Sequence, residues 1–301
     1  MSQYYGQVIA RQGKRANVWL PASQEIVLCH ARRQQLQVVC GDWVDISIIS
    51  GLEGVVEKCH PRKNVFSRRD EVRTKTIAAN VDQVFGVLAW DPLPSESLLM
   101  RWILVAHVQK VNFVLIVNKR DLAQHLPEHP LWEWIPRYRN LGITVIEVSA
   151  QDSEIEAIRE PLQHKTTVLI GQSGAGKSSI INALIPGLNL STRELSEAMG
   201  SGRHTTTTTQ LYWLDEARQT AVMDSPGMQT FGVKGLSQQE ILASCPDFAP
   251  YLGKCRFRNC QHDREPDCAF TEAISAGKIT EERWDIIQEI IAEAEGAVIA
   301  G

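Results

Sequence analysis

A glycine-rich run ends in a lysine and a hydroxyl: Gly171-Gln172-Ser173-Gly174-Ala175-Gly176-Lys177-Ser178, with Ser179 directly after it. The apolar stretch 166–170 precedes the run, and Ile180, Ile181 and Leu184 follow at helical spacing. Strand, glycine loop and helix in that order make a phosphate cradle. Gly174 and Gly176 let backbone N–H groups crowd around phosphate oxygens, and the helix N-terminus adds its dipole. Lys177 is set to reach the β- and γ-phosphates of a nucleoside triphosphate, and Ser178 to coordinate its Mg²⁺. A glycine loop can also be a plain turn, but here the flanking pattern argues against that.

Asp224-Ser225-Pro226-Gly227 follows another apolar stretch, 221–223. Asp224 is the expected carboxylate of the Mg²⁺ shell, and the Gly227 N–H is the expected donor to the γ-phosphate. Alone, Asp-x-x-Gly marks a turn; downstream of a phosphate loop it gains a role. Asn118-Lys119-Arg120-Asp121 ends the apolar stretch 111–117. A carboxylate there accepts from guanine N1–H and N2–H together, a pair that adenine lacks. Asp121 thus selects GTP over ATP, the Lys119 stem packs over the base, and Asn118 braces the loop. Ser149-Ala150, at another strand end, fits a loop whose backbone N–H meets guanine O6. The guanine-reading motif precedes the phosphate loop, the reverse of an ordinary GTPase, so the chain reads as circularly permuted.

Residues 186–208 form a long connection, and connections of that length are uncommon unless functional. Within it, Gly202-Arg203-His204-Thr205-Thr206-Thr207 reads as a switch loop. Thr206 or Thr207 supplies the hydroxyl that completes the Mg²⁺ shell with GTP bound; the register stays open. Thr208 and Thr209 read as the entry to a strand. Met228 stands after Gly227, where many GTPases carry a glutamine that orients the attacking water. A thioether cannot do this. Hydrolysis therefore draws on another group or a partner, or it is slow. His204 is the nearest catalytic candidate in sequence; a histidine merely exposed in the loop is the other reading.

Cys255-x4-Cys260-x-His262-x5-Cys268 offers three thiolates and one imidazole within a short loop-like segment. Cys3His is a tetrahedral zinc set, and with no open position the site is structural. The metal stands in for a core that this segment is too small to build. Reduced core cysteines are the plainer reading. Cys245 lies outside the spacing, and Cys29, Cys40 and Cys59 read as small buried hydrophobes.

Three blocks must position these residues. In the first, 7–10, 17–20, 25–30, 43–49 and 54–57 read as short strands separated by turn signals. Five strands in that length suggest an OB-fold barrel. The block is basic, with Arg11, Lys14, Arg15, Arg32, Arg33, Lys58, Arg62 and Lys63. A solvated surface and an RNA-binding face both fit this charge. In the second, near-continuous apolar runs at 81–90, 111–117, 143–148, 166–170 and 221–223 read as parallel strands buried on both faces. Helical patterns at 97–109, 132–141, 153–161 and 177–184 alternate with them, giving a doubly wound α/β domain. The third has a helix at 236–243, the cysteine cluster and a last helix. Thr280 is its N-cap, and Trp284, Ile287 and Ile291 are its core stripe. The expected domains are 1–69, 70–236 and 237–301. The net charge of −4 argues against binding nucleic acid with the whole surface. The polar start lacks a signal-peptide pattern, and no apolar run nears the roughly 20 residues of a membrane span. A cytoplasmic monomer without membrane contact is expected.

A basic β-barrel, a permuted GTPase domain and this Cys/His segment together resemble the small-ribosomal-subunit-dependent GTPase family RsgA, also called YjeQ. The residues that carry the resemblance are Gly41-Asp42-Trp43-Val44, Asn118-Lys119-Arg120-Asp121, Gly171 to Ser179, Gly202 to Thr207, Asp224-Ser225-Pro226-Gly227 and the Cys/His quartet. The resemblance implies late maturation of the small ribosomal subunit. It also implies GTPase activity stimulated by that subunit, release after hydrolysis, and rRNA contact by barrel and zinc domain. A histidine matching His204 is a proposed catalytic residue there. A GTPase acting on the large subunit, and an RNA-binding module with incidental hydrolysis, are the rivals. From the motif order, loss of the γ-phosphate is expected to be relayed through 228–235 to the zinc domain.

Overall fold

Alternating burial closes the first block into a barrel. The strands are β1 (Gln3–Gln12), β2 (Arg15–Trp19), β3 (Ile26–Ala31), β4 (Trp43–Ser50) and β5 (Glu53–Cys59). They pair in the order β1-β2-β3-β5-β4 and back to β1, antiparallel except for β3 with β5. Val8, Val18, Val27, Val44, Ile46 and Val56 point inward and fill the interior. Closure satisfies the edges that short strands would otherwise expose. The computed structural model describes residues 3–31, 37–69, 74–93, 95–188, 190, 209–225, 232–262 and 265–296.

A hairpin not expected from the sequence follows, β6 (Val65–Arg69) with β7 (Thr74–Ala79). Its Phe66, Ile77 and Ala78 enter the core of the α/β domain, not the barrel. The Gln109 side chain accepts from Ser67 N and donates to Ser67 O. Arg69 pairs with Thr74, so the hairpin straddles position 69/70.

The α/β domain contains β8 (Gln83–Ala89), α1 (Glu96–Val108), β9 (Asn112–Asn118), α2 (Leu131–Asn140), β10 (Thr144–Glu147), α3 (Arg159–Leu162), β11 (Thr166–Gly171), α4 (Lys177–Leu184), β12 (Gln210–Trp213) and β13 (Ala221–Asp224). The expected helix at 153–161 is a 3-10 stretch, Ser153–Ile158, and then the single turn of α3. Pro161 has no N–H for an α ladder that would continue from 157. The strand order is β10-β9-β8-β11-β13-β12, parallel except for β12. Every residue of β8 is buried, as a central strand covered on both faces requires. From β8 the chain moves to β9 and β10 on one side, and from β11 it moves to β12 and back to β13 on the other, so the topological switch point lies between β8 and β11.

The sheet does not end at β12. Ala10 of β1 pairs with Gln210, and Gln210 in turn lies opposite Asp224. Barrel and α/β domain thus share one eleven-stranded sheet. Trp19 meets Trp213 edge-on at 5.2 Å, and the Arg218 guanidinium sits 4.5 Å over the Trp19 ring. Gly41, at φ +90°, lies so close to Ala79 O and Met223 Cε that a Cβ would collide with both. The Gly41-Asp42 turn is therefore where the barrel meets β13.

The C-terminal block has α5 (Gln238–Ser244), α6 (Ala269–Ser275) and α7 (Glu281–Glu295). Ser237 and Glu240 cap α5 reciprocally. Thr280 caps α7 as expected, accepting from Arg283 N, and Gly296 ends it. Phe248, Phe270, Ile287, Ile290 and Ile291 join the same core as Leu99, Trp102 and Leu104 of α1. The block has borrowed a face of the α/β domain in place of a core of its own.

Arg283 locks that junction. Its Nη1 donates to Glu96 Oε1 at 2.9 Å and to Tyr138 Oη at 2.7 Å. Its Nε and Nη2 donate to Asp247 Oδ2 at 2.8 and 2.5 Å. Burial by itself would lower the Arg283 pKa; Tyr138, Asp247 and Glu96 more than offset it and hold the guanidinium charged. The position is legible afterwards: 283 shares a helix face with 287, 290 and 294. For Arg283→Met we expect a loss of about 3–5 kcal/mol, because Asp247 stays buried without its cation and Glu96 keeps only Arg137, 3.3 Å away. Urea unfolding checks this, and a loss under about 1 kcal/mol would mean that water or another cation replaces Arg283. Among the described residues no helix is long and apolar enough to cross a membrane.

Candidate nucleotide site and metal centre

The carboxyl ends of five parallel strands bring the sequence motifs to one rim. β11 runs into the glycine loop and α4 begins at Lys177, with Gly176 as a left-handed cap at φ +90°. A Cβ on Gly176 would land on Asn118 Nδ2, so only glycine lets the phosphate loop and the Asn118 loop approach this closely. Lys177 Nζ donates to Gly171 O at 2.8 Å and to Gln172 O at 2.9 Å. Two of its three donors aim the side chain, and the third can reach a phosphate oxygen. Burial lowers the Lys177 pKa, and Asp224 opposes the shift. Ala175 N closes the turn on Gln172 O at 3.3 Å, and Ser173 lies within it.

Ser178 is buried in the first turn of α4, and Ser179 follows it. Asp224 ends β13 with a carboxyl whose pKa burial raises, while Lys177 and the Ser225 N–H oppose the rise. Its Oδ1 is buried with no hydrogen-bond partner among the described residues. A buried carboxylate oxygen left unpaired at this rim fits a hard cation such as Mg²⁺, which takes one or two protein oxygens plus phosphates and waters. Burial also pushes Tyr212 on β12 up to about 12, with Asp224 adding to the rise.

Three loops are cross-linked before any nucleotide enters. Asn118 Nδ2 donates to Ala175 O at 3.0 Å, and its Oδ1 accepts from Ala150 N at 3.1 Å. Ser149 Oγ donates to Asp121 Oδ1 at 2.8 Å and accepts from Asp121 N at 3.1 Å. Lys119, at φ +60°, donates from Nζ to Asp91 O at 2.5 Å. Asp91 was not singled out from sequence, since only the pairing of β8 with β9 puts it beside Lys119. The Arg120 guanidinium is tied to Glu154 at 3.0 Å and lies 4.0 Å from Glu147. Preorganisation of this kind lowers the entropic cost of binding. Gly202, His204, Thr206, Thr207, Gly227 and Met228 lie outside the described residues.

On the C-terminal block, ligand atoms of Cys255, Cys260, His262 and Cys268 all lie within 4.8 Å of one another. Cys255 Sγ is 3.4 Å from His262 Nδ1 and 3.9 Å from Cys268 Sγ; Cys268 Sγ to Nδ1 is 3.7 Å. A tetrahedron with Zn–S near 2.3 Å and Zn–N near 2.0 Å has edges of about 3.5–3.8 Å. The donors therefore fit one zinc ion. Phe270 packs against the His262 ring at 4.4 Å. Cys245, Cys29 and Cys40 are buried elsewhere, and Cys59 is half-buried.

A phosphate loop at the switch point, a guanine-type loop beside it and this strand order define a P-loop GTPase of circularly permuted connectivity. The model of the RsgA GTPase family matches residues 59–234. The relative named Small ribosomal subunit biogenesis GTPase RsgA from Variovorax paradoxus is 38% identical over 96% of this chain and 92% of its own. That of Paraburkholderia phytofirmans is also 38% identical, over 97% and 94%. The crystal structure of YjeQ from Thermotoga maritima superposes with a TM-score of 0.74 at 28% identity, covering 97% of this chain and 99% of that one. YloQ, described as a circularly permuted GTPase, gives 0.69 at 25% identity over 100% and 98%. The chain belongs to the RsgA GTPase family, and it is a GTPase that hydrolyses GTP.

Proposed function

We propose that this GTPase binds the small ribosomal subunit through its rRNA, assists late maturation, and leaves after converting GTP to GDP and phosphate. Nearly full-length likeness to proteins named for small-subunit biogenesis supports the partner. The observation that carries the chemistry is the linkage of Asn118 to Ala175 and Ala150, which joins the phosphate and base loops in one unit. In this reading Asp121 accepts from the guanine edge, with Asn118, Lys119, Arg120, Ser149 and Ala150 forming its loops. Residues 171–179 hold the phosphates. Ser178, Asp224 and Thr206 or Thr207 hold Mg²⁺, and Gly227 N–H meets the γ-phosphate. Cys255, Cys260, His262 and Cys268 hold one structural zinc. The protein acts as a cytoplasmic monomer, divided into 1–69, 70–236 and 237–301, with the β6–β7 hairpin crossing the first boundary.

The nucleotide state reaches the barrel in this reading. Asp224, Gln210 and Ala10 lie opposite one another across β13, β12 and β1. Release of the γ-phosphate loosens the Asp224 end, and β12 carries the change to the barrel. Of the route first expected, 228–235, residues 228–231 lie outside the described part. The buried Arg283 contacts favour keeping the C-terminal block fixed on α1.

The test is GTP turnover with and without purified ribosomal subunits. Slow basal hydrolysis and stimulation by small but not large subunits, on the order of 10²-fold, is the expected result; a partner that supplies a missing group acts on this scale or above. In His204→Ala, GTP should bind normally while the stimulated rate falls. Equal rates with and without small subunits would remove the proposed partner.

A further inference from the structure

Tyr5 and Trp43 lie on the outer face of the barrel, on β1 and β4, in a register that sets Gln7 opposite Trp43 and Tyr5 opposite Asp45. Their rings stack with centroids 4.8 Å apart and planes 4° from parallel. His60 meets Tyr5 edge-on at 5.2 Å. His60 is itself fixed: its backbone N–H donates to Trp43 O at 2.8 Å, and its Nε2 lies 2.9 Å from Asp45 Oδ1. Tyr5 nonetheless leaves 50% of its surface in water. A cross-strand aromatic pair steadies a sheet. That role alone would favour covering the ring, since burying apolar area is the stabilising part.

Charge indicates what covers it. Residues 1–64, the barrel up to the β6–β7 hairpin, hold eight Lys and Arg against five Asp and Glu, a net +3, whereas the whole chain is −4, so the remaining residues carry −7. A polyanion is therefore drawn to the barrel and repelled elsewhere. Lys58 is exposed on β5, in register with Asp45 on the same face. The Ala10 end of β1 pairs with β12; away from the α/β domain the strand pairs with β4, and there the Tyr5 ring stays half exposed. Flat rings within a basic frame suit an unpaired nucleobase, whereas a duplex keeps its bases stacked inside.

We propose that Tyr5, backed by Trp43 and held by His60, is a stacking platform for an unpaired RNA base. The proposal rests on the reading of the barrel as an rRNA-binding element, and it names the face and the ring. Base and Tyr5 extend the pile begun by Trp43, and Lys58 neutralises a neighbouring phosphate.

Fluorescence anisotropy with labelled oligo(U) and oligo(A) of about 12 nucleotides tests it on the full chain, since an OB barrel engages roughly 4–16 nucleotides. Tyr5→Ala and Tyr5→Leu should weaken binding of both oligonucleotides by roughly 5–150-fold, while Tyr5→Phe stays within about twofold. Tyr5→Leu keeps an apolar strand residue, so a loss shared by both variants reports the ring and not the fold. Equal affinity of Tyr5→Leu and the unmodified chain, or no oligonucleotide binding by the unmodified chain, overturns the platform. Pelleting with purified small subunits separates this from the ribosomal reading. Ring-dependent oligonucleotide binding without pelleting keeps the platform and removes that reading; pelleting with ring-independent binding does the reverse.

Discussion

Lys177→Ala is expected to lower GTP hydrolysis by about 10³-fold or more at saturating GTP, the scale on which single cations act in phosphoryl transfer. The size follows from how the side chain is held. Gly171 O and Gln172 O fix Nζ from below, so the cation needs no reorganisation when charge builds on the phosphate oxygens. Its surroundings are dry, which strengthens its field. Deletion also leaves the Asp224 carboxylate without its nearest cation, at a site where burial already raises that pKa. Lys177→Arg is expected to fail as well, because the planar guanidinium cannot take the place of a compact ammonium between two carbonyls. Single-turnover measurements at saturating GTP separate chemistry from binding. A rate within about tenfold of the unmodified chain would exclude Lys177 from the chemical step.

Cys260→Ser should remove most of the bound metal and open the segment around residues 255–268. Zinc bound by a Cys and His set that the unfolded chain does not hold together contributes about 10–16 kcal/mol to folding in isolated fingers, so even a fraction of this is large here. The loss stays local, because Phe248, Phe270 and Ile287 share the α1 core and hold α6 and α7 without the metal. The readouts are metal content per chain and hydrogen exchange. Amides of 255–268 lose protection, while those of α7 keep theirs. Full metal content with unchanged exchange would show that Cys260 is not a ligand. Melting of α7 in step with the loop would show instead that the metal organises the whole block.

Legibility differed between motif and surroundings. The phosphate loop, the Asn118–Asp121 loop and the Cys/His quartet are local in sequence, and each states its own chemistry through residue type and spacing. The strands of the barrel and sheet were also legible, because burial on one face or two imposes period-2 or continuous apolar patterns. The β6–β7 hairpin was not, since Ser67-Arg68-Arg69 reads as polar loop until Gln109 and the α/β core supply its partners. Arg283 reads as a solvated helix residue until α1, α2 and Asp247 surround it with acceptors.

By itself the sequence determined which nucleotide is read, that the motif order is permuted, and which four residues can share a metal, because these depend on side-chain chemistry at short spacing. Only the tertiary structure decided what those parts are joined to. It set Asp91 under Lys119 and Asn118 against the phosphate loop. It joined the barrel to the sheet through Ala10 and Gln210, and the C-terminal block to α1 through Arg283. Such contacts link residues far apart in the chain. They are fixed by strand order and shared core, and neither is written in any local run of residues.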